Sequence, residues 1–213
     1  MNEAVRRFTD FLNAAAEGPQ WLMGPDERLA ILGLLDIIKP DSVLEIGHFH
    51  GGCTRWLAQK AKIVYSVDID AHVIQNCEQW SNVTPLHMRS SAAFEMFGKE
   101  NRRFDLAIID GDHSEDGARE DLRASLPLCD FIIMHDTSNP QCRAGYVQAL
   151  AGTTYYHVLD LVEGVAQEDG LWGGIGIAVP SLNASDAATL APKISNYEII
   201  KASFDSRKTR KRS

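Results

Sequence analysis

The sequence predicts an α/β protein with a Rossmann-like, doubly wound sheet of about seven strands, mostly parallel, and helices on both faces. Short apolar segments alternate with helical segments of about ten residues, as expected when parallel strands are joined by crossover helices. The apolar segments are continuous, which strands buried on both faces require. Near the end of the chain, two strand-like segments (153–162 and 171–179) have no room for a helix between them. They predict an antiparallel C-terminal hairpin.

The elements of the predicted sheet follow in chain order. Gly24-Pro25 breaks the chain, and a helix with an apolar face follows up to Lys39-Pro40. Ser114 predicts the start of a later helix, because a serine side chain can accept a hydrogen bond from a free first-turn amide. Strands are predicted at residues 43–46, 63–70, 83–88, 104–110 and 130–136, with further helices at 53–61, 71–80, 92–98 and 141–150.

Length and composition indicate a single domain. The chain has 213 residues, 45% of them hydrophobic, which is enough for one packed core. We divide it into an N-terminal helical segment (1–23), a core (24–180) and a C-terminal extension (181–213) that ends in a basic tail (207–212). Apolar residues recur at helical spacing in residues 2–16 and predict a helix that packs on the domain or on a second subunit of a homodimer.

Charge and cysteine usage argue against several classes of protein. A formal net charge of -8 does not suit a surface that binds nucleic acid. No apolar run approaches the roughly 18 residues needed to cross a bilayer, so no membrane association is expected. The four cysteines form no C-x-x-C pair and no secretory signal precedes them, so a reducing, cytoplasmic location is expected.

The most informative stretch is residues 43–52, V-L-E-I-G-H-F-H-G-G, which predicts a strand, a tight loop and a helix start. The two outer glycines can take backbone angles closed to other residues, and free helix-start amides would face a ligand above the strand. Dinucleotide-binding loops have the pattern G-x-G-x-x-G, whereas His48 and Phe49 fill the middle of this loop. The pattern Glu45-x-Gly47-x-x-x-Gly51 resembles motif I of the class I S-adenosylmethionine-dependent methyltransferases, whose loop contacts the amino-acid end of the cofactor.

Further cofactor contacts are predicted at the carboxyl ends of the strands, where doubly wound sheets bind ligands. Asp68 closes the second strand about twenty residues after Gly47, and an acid there can bind the ribose hydroxyls of a nucleoside, including that of NAD. Ile69 would lie against the adenine, and the resemblance places Ser90 and Ser91 near its amino group. The predicted cofactor site comprises these four residues together with Glu45, Gly47, His48, Phe49, Gly51 and Asp110.

Two polar turns follow the fourth and fifth predicted strands. D-G-D-H-S at 110–114 puts two acids and a histidine on a sharp turn, which is costly unless a cation or hydrogen-bond donors compensate. H-D-T at 135–137 ends the neighbouring strand. Asp110, His135 and Asp136 are therefore predicted to bind a divalent metal, either Mg²⁺, which prefers oxygen ligands, or Mn²⁺, which also accepts imidazole.

The motifs I-D-G-D-H-S and H-D-T resemble a branch of the class I methyltransferases that includes metal-dependent O-methyltransferases of small molecules. Related sequences carry D-D or E-D where this chain has His135-Asp136, so the histidine is a departure. The resemblance implies transfer of a methyl group from S-adenosylmethionine to a hydroxyl of a small molecule. His113 is the first candidate for the general base, and Asp112 is the second.

Two other interpretations remain open. A non-catalytic S-adenosylmethionine-binding partner or regulatory module would keep the glycine loop without needing the acids and histidines. An NAD(P)-dependent oxidoreductase would share the acid at Asp68, but its loop expects glycine where Phe49 stands. The order of the motifs along the chain favours the methyltransferase.

Overall fold

A seven-stranded sheet forms the centre of the structure, a computed structural model that describes residues 18–153, 156–162, 164–167 and 170–179. The helices are α1 (Pro25–Ile38), α2 (Gly52–Lys60), α3 (His72–Cys77), α4 (Ser90–Lys99), α5 (Glu115–Ser125) and α6 (Pro140–Leu150). The strands are β1 (Ser42–Ile46), β2 (Ile63–Asp68), β3 (Val83–His87), β4 (Leu106–Ile109), β5 (Ile132–His135), β6 (Tyr156–Val162), β7 (Val165–Gln167), β8 (Gly170–Trp172) and β9 (Ile175–Val179).

The strand order confirms the predicted sheet. It is β3-β2-β1-β4-β5-β9-β6, and β1 to β5 run parallel to one another. Strand β9 pairs antiparallel with both β5 and β6, so the C-terminal hairpin is formed as predicted. The strand predicted at 171–179 is divided by the Gly173–Gly174 turn, so its first residues belong to β8 and only Ile175–Val179 form β9. Strand β8 pairs with β7 in a small separate hairpin between β6 and β9 in sequence, which was not predicted because residues 163–170 show turn signals.

Helices cover both faces of the sheet, as the continuous apolar strands predict. Alternate strand residues point to opposite faces, so Val43 packs with α1 to α3 whereas Leu44 packs with α4 to α6. Ile31 and Leu35 of α1 are buried on the first face, and Phe97 of α4 is buried on the second. The sheet is therefore the middle layer of three, and its strand ends supply the exposed edge where a ligand can bind.

Local capping explains where several helices begin. The Oγ of Ser114 accepts a hydrogen bond from the amide of Gly117 at 3.0 Å, which confirms the predicted start of α5. Asn139 caps α6 in the same way by accepting from Gln141. Helix α3 is shorter than predicted because the chain turns after it, with the amide of Val83 donating to a carbonyl three residues earlier.

Some expectations fall outside the described residues. These are the amphipathic helix at 2–16, with the homodimer inferred from it, and the C-terminal extension with its basic tail. Within the part of the chain that the structure describes, no helix is both long enough and apolar enough to cross a membrane.

The carboxyl ends of β1, β2, β4 and β5 meet at one edge, and the strand order reverses between β1 and β4. A doubly wound sheet leaves a crevice at such a reversal. The backbone is tightly packed there, because Gly47 has a φ of 90° and an added Cβ would overlap the carbonyl oxygen of Asp110. Only glycine fits this position, which explains the first glycine of the loop.

Candidate active site

A cleft of about 1580 Å³ opens over the carboxyl ends of the central strands. It is larger than the roughly 300–1,000 Å³ of a typical small-ligand pocket, so a nucleoside cofactor and a second small molecule can share it. Residues from four different strand ends line its wall: Gly47, Asp68, Asp110 and Asp136. The predicted convergence of these strand ends on one site is therefore present in the structure.

The glycine loop is fixed to the end of β2 by Asp68. One carboxylate oxygen, Oδ2, accepts hydrogen bonds from the amides of His48 at 2.8 Å and Phe49 at 2.9 Å. The other oxygen, Oδ1, accepts from the amide of Asp70 at 2.9 Å. Asp68 also lines the cleft, as its predicted contact with a ribose requires. The same carboxylate thus orients the loop and faces the place where a nucleoside would lie.

Glu45 lies beneath the loop rather than in the cleft. It is fully buried, and its Oε2 accepts hydrogen bonds from the hydroxyls of Thr54 at 2.6 Å and Ser66 at 2.5 Å. Nδ1 of His48 lies 2.8 and 2.9 Å from the same two hydroxyl oxygens. Because both hydroxyl protons are directed at Glu45, Nδ1 must carry the ring proton and donate it. We call Glu45, His48, Thr54 and Ser66 the buried polar cluster.

Not all of the other predicted cofactor residues line the cleft. Phe49, Ile69 and Ser90 line the cleft, whereas Ser91 is exposed on α4 outside it. Phe49 has a φ of 49° and a half-exposed ring at the cleft mouth. Behind Ser90 lies Asp121 of α5, which no motif indicated; burial raises the pKa of its carboxyl to about 6.

Three side chains at the ends of β4 and β5 come together as a candidate metal centre. Nε2 of His113 lies 2.9 Å from Oδ2 of Asp136 and 3.5 Å from Oδ1 of Asp110. One ligand atom from each of the three residues lies within 4.8 Å of the others. Two carboxylates and one imidazole on the cleft wall are a donor set that suits a divalent cation.

His135 is a buried neighbour of this cluster rather than a member of it. Its Nδ1 lies 3.0 Å from Oδ1 of Asp110 and 3.2 Å from Oδ2 of Asp136, and its Nε2 lies 3.1 Å from Oε1 of Glu27. Only a doubly protonated ring can donate towards carboxylates on both sides. In the candidate metal centre, His113 therefore stands where we had predicted His135.

The carboxylates strongly favour the charged forms of both histidines. Hydrogen bonds to Asp110 and Asp136 raise the pKa of His113 to about 10 despite partial burial. Burial opposes the charge on His135, but the negative charge of Asp110 and the hydrogen bonds to Asp110, Asp136 and Glu27 together outweigh it and raise the pKa of this ring well above its ordinary value. Burial likewise opposes ionisation of Asp136, yet hydrogen bonds from the two histidines lower its pKa. At neutral pH, His113 is thus protonated unless a cation replaces its proton.

Asp112, the second candidate base, belongs to the start of α5. Its Oδ1 accepts a hydrogen bond from the amide of Ser114 at 2.9 Å, and this bond is the main reason that its pKa is lowered. Its carboxyl group also packs against Gly117, where an added Cβ would overlap it. Because these contacts hold the Asp112 carboxylate in the turn, the geometry favours His113 over Asp112 as the group that takes part in the reaction.

Besides Asp121, motif analysis missed four residues at the site. Glu27 showed only a preference for a helix first turn, and Trp172, whose ring lies 5.6 Å edge-on from that of His113, showed no signal. Thr54 and Ser66 sit in a helix and a strand without any pattern to mark them. Glu27, Ser66 and Trp172 are identified by partners that are distant in sequence, so a local pattern could not reveal them. Thr54 has partners only six and nine residues away, but no motif marks a threonine at this place.

Comparison with known proteins agrees with this geometry. Residues 44–137, from β1 to the end of β5, match the family model described as a methyltransferase domain. An O-methyltransferase from Bacillus cereus in complex with SAH is 20% identical and covers 84% of this chain and 92% of its own, with a TM-score of 0.61. No curated protein sequence matches the chain.

Two further crystal structures share the fold. TomG from Streptomyces achromogenes, an O-methyltransferase involved in tomaymycin synthesis and bound to SAM, is 15% identical over 84% of this chain and 90% of its own, with a TM-score of 0.58. An rRNA methylase from Streptococcus thermophilus is 12% identical over 75% of this chain and 98% of its own, with a TM-score of 0.56.

The fold is the one that these S-adenosylmethionine-dependent methyltransferases share, and the segment 44–137 resembles their domain. The resemblance to class I members that we inferred from the motifs is thereby confirmed. The branch marked by I-D-G-D-H-S and H-D-T is not distinguished by these comparisons and stays a prediction.

Proposed function

We propose that this protein transfers the methyl group of S-adenosylmethionine to a hydroxyl oxygen of a small molecule, with a divalent cation bound by Asp110, His113 and Asp136. The observation that carries the proposal is the presence of this acid and histidine cluster in the same cleft as the glycine loop. A binding module without catalysis would need only the loop.

The residues that would hold the cofactor follow from the cleft wall. Gly47 presents bare backbone to the cleft, whereas Gly51, which we had predicted as a cofactor contact, does not line it. Asp68 would bind the ribose, and Ile69 and Ser90 would face the adenine. S-adenosylmethionine would supply the activated methyl group. Glu45 supports the loop from below, so we assign it to the structure of the site and not to direct contact with the cofactor.

The donor set of the candidate metal centre fits Mn²⁺ or Mg²⁺. Imidazole is a better ligand for Mn²⁺ than for Mg²⁺, and His113 therefore favours Mn²⁺. A bound divalent cation would act as a Lewis acid that holds the acceptor oxygen and lowers its pKa. The chain's own contribution is to fix Asp110 and Asp136 at neighbouring strand ends, where both carboxylates remain ionised.

His113 has two candidate roles that exclude each other at any one moment. As a ligand it uses the lone pair of Nε2, whereas as a general base it must keep that lone pair free for the hydroxyl proton. With a pKa of about 10 it carries a proton at neutral pH and can do neither until that proton leaves. We assign it as a ligand, because its Nε2 points at Asp110 and Asp136.

A small-molecule acceptor is supported by charge and by the comparisons. The net charge of -8 does not suit a nucleic-acid substrate. TomG, which shares the fold, is an O-methyltransferase involved in tomaymycin synthesis. The rRNA methylase shares the fold as well, so the charge carries more weight here than the fold does.

Two assays test the proposal. Thermal unfolding should show stabilisation by S-adenosylhomocysteine and none by NAD, and the reverse result would establish the oxidoreductase alternative. Labelled methyl groups should then pass from S-adenosylmethionine to a metabolite pool, with loss of transfer in His113→Ala. Binding without any transfer to the pool would support the non-catalytic module. Transfer that is unaffected by a chelator would refute the metal.

A further inference from the structure

Glu27 of α1 occupies a position that no motif explains. It is buried, with 6% of its surface exposed, although it lies in the first turn of a helix where acids are usually solvated. Its Oε2 accepts a hydrogen bond from the amide of Gly24 at 2.5 Å, which caps its own helix. Its Oε1 accepts from the amide of Gly174 at 2.6 Å and lies 3.1 Å from Nε2 of His135. Helix capping needs only the first of these contacts.

The partner of Glu27 in the C-terminal region is a glycine turn. Gly173 and Gly174 connect β8 to β9 with φ values of 78° and 88°, which favour glycine. The amide of Gly173 donates to Oδ1 of Asp136 at 2.5 Å, while the next amide donates to Glu27. An added Cβ on Gly173 would lie 2.6 Å from Oε1 of Glu27. Two successive amides are thus divided between two carboxylates.

These contacts close a circuit around the candidate metal centre. From Glu27 the circuit passes to His135, Asp110, His113, Asp136, Gly173 and Gly174 and returns to Glu27. We call this set of seven residues the carboxylate ring. It joins α1, the ends of β4 and β5, and the turn before β9. Glu27 is the single member from α1, so removing its side chain opens the ring at two contacts.

We call the part of the cleft around the candidate metal centre its acceptor end. We propose that Glu27 is a positioning residue there. It holds His135 and the Gly173–Gly174 turn so that the three candidate ligands face one point. This inference rests on the proposed metal-assisted methyl transfer. Without the Glu27 carboxylate, the amide of Gly174 and Nε2 of His135 lose their partners. Groups that hydrogen-bond metal ligands directly typically contribute about 10- to 100-fold to metal affinity. Glu27 reaches Asp110 through His135 and Asp136 through the glycine turn, and we expect the loss of both routes at once to fall in the same range.

The test compares Glu27→Ala and Glu27→Gln with Asp26→Ala, which removes an exposed acid from the same helix turn. Titration of Mn²⁺ into each protein should show an affinity about 10- to 100-fold lower in Glu27→Ala. Glutamine can still accept from Gly174, so Glu27→Gln should lose less, and the Asp26 control should match wild type. Affinity for S-adenosylhomocysteine should stay within about threefold in all of them, because the described hydrogen bonds of Glu27 go to Gly24, His135 and Gly174 and not to the glycine loop.

Each outcome either supports or overturns the positioning role of Glu27. Equal Mn²⁺ affinity in wild type and Glu27→Ala, or an equal loss of both ligands, overturns the positioning role and leaves the proposed function intact. If Glu27→Ala does not fold, Glu27→Gln carries the same comparison. If wild type binds no Mn²⁺, the metal proposal fails, and amide exchange over residues 170–176 then tests Glu27: faster exchange than in Asp26→Ala supports the positioning role, and unchanged exchange refutes it.

Discussion

The two ends of the cleft are built by different means. At the loop end, backbone amides that donate to Asp68 and hydroxyls that donate to Glu45 hold the structure. All of these groups come from β1, the glycine loop, the start of α2 and β2. At the acceptor end, five ionisable side chains from three separate parts of the chain and the Gly173–Gly174 turn form the carboxylate ring. The loop end is therefore built from residues that are close in sequence, whereas the acceptor end forms only when distant parts of the chain pack together in the assembled sheet.

The largest expected effect is on Mn²⁺ affinity at the acceptor end, and it comes from removing one negative charge there. Asp136→Asn keeps an oxygen for the amide of Gly173 but removes a carboxylate from the candidate metal centre. We expect Mn²⁺ affinity to fall by more than about 100-fold, beyond the range for groups that only orient ligands. Affinity for S-adenosylhomocysteine should be nearly unchanged. Calorimetric titration measures both, with Asp130→Asn, an exposed acid paired to Arg103, as the control.

The next prediction concerns a substitution in the glycine loop, at the other end of the cleft. Gly47→Ala places a Cβ against the carbonyl of Asp110 at a φ of 90°, so it should destabilise the fold by about 2–3 kcal/mol and abolish cofactor binding. Gly33→Ala is the matched control, because no atom lies within 4 Å of the added Cβ in α1, and it should stabilise by about 0.5–1 kcal/mol. Denaturant unfolding measures both. Equal stability of the two variants would refute the tight approach of β1 and β4.

The acceptor end should respond to pH through His113. Its pKa of about 10 means that Mn²⁺ must displace a proton, so Mn²⁺ affinity should rise by up to about tenfold per pH unit between pH 7 and 9. In the cation-free protein, the raised pKa stabilises the fold fully below the ordinary value of 6.5, and this contribution is lost as pH rises through about 10. Titrations at several pH values test the first statement. A flat affinity profile would contradict His113 as a ligand.

The smallest expected effect concerns the buried polar cluster. Ser66→Ala removes one of the two hydroxyl donors to Oε2 of Glu45 and should cost about 1 kcal/mol of unfolding free energy. Ser91→Ala, on the exposed surface of α4, should change it by less than about 0.5 kcal/mol. Chemical denaturation distinguishes the two. A Ser66→Ala protein as stable as the Ser91 control would mean that the hydroxyl contributes nothing to holding Glu45.

The same contrast explains what the sequence could predict. The strand pattern and the loop from Gly47 to Gly51 are contiguous, so their structure follows from local periodicity and glycine geometry. The position of Asp68 followed from the general rule for strand ends, but its use as an anchor for the loop amides did not. Glu45 was placed at the cofactor by resemblance, and only the burial of its carboxylate shows that it lies beneath the loop.

The acceptor end was predicted less well, for a physical reason. Polar residues at 110–113 and 135–136 indicated a charged site, yet which histidine faces the cleft depends on how β4 and β5 pack. Glu27 fills the space beside His135 and holds it in the interior, which leaves the exposed place to His113. The raised pKa of His113 comes first from Asp110, three residues earlier, and then from Asp136 at the end of another strand, so the local pattern contains only part of its cause.

The central claim is that the methyl donor and the candidate metal centre share one cleft. It can be tested by following the methyl resonance of ¹³C-methyl S-adenosylmethionine bound to the protein while Mn²⁺ is added. The account predicts paramagnetic broadening of this resonance in wild type and its absence in Asp136→Asn. A methyl signal that stays sharp while Mn²⁺ is bound would contradict it.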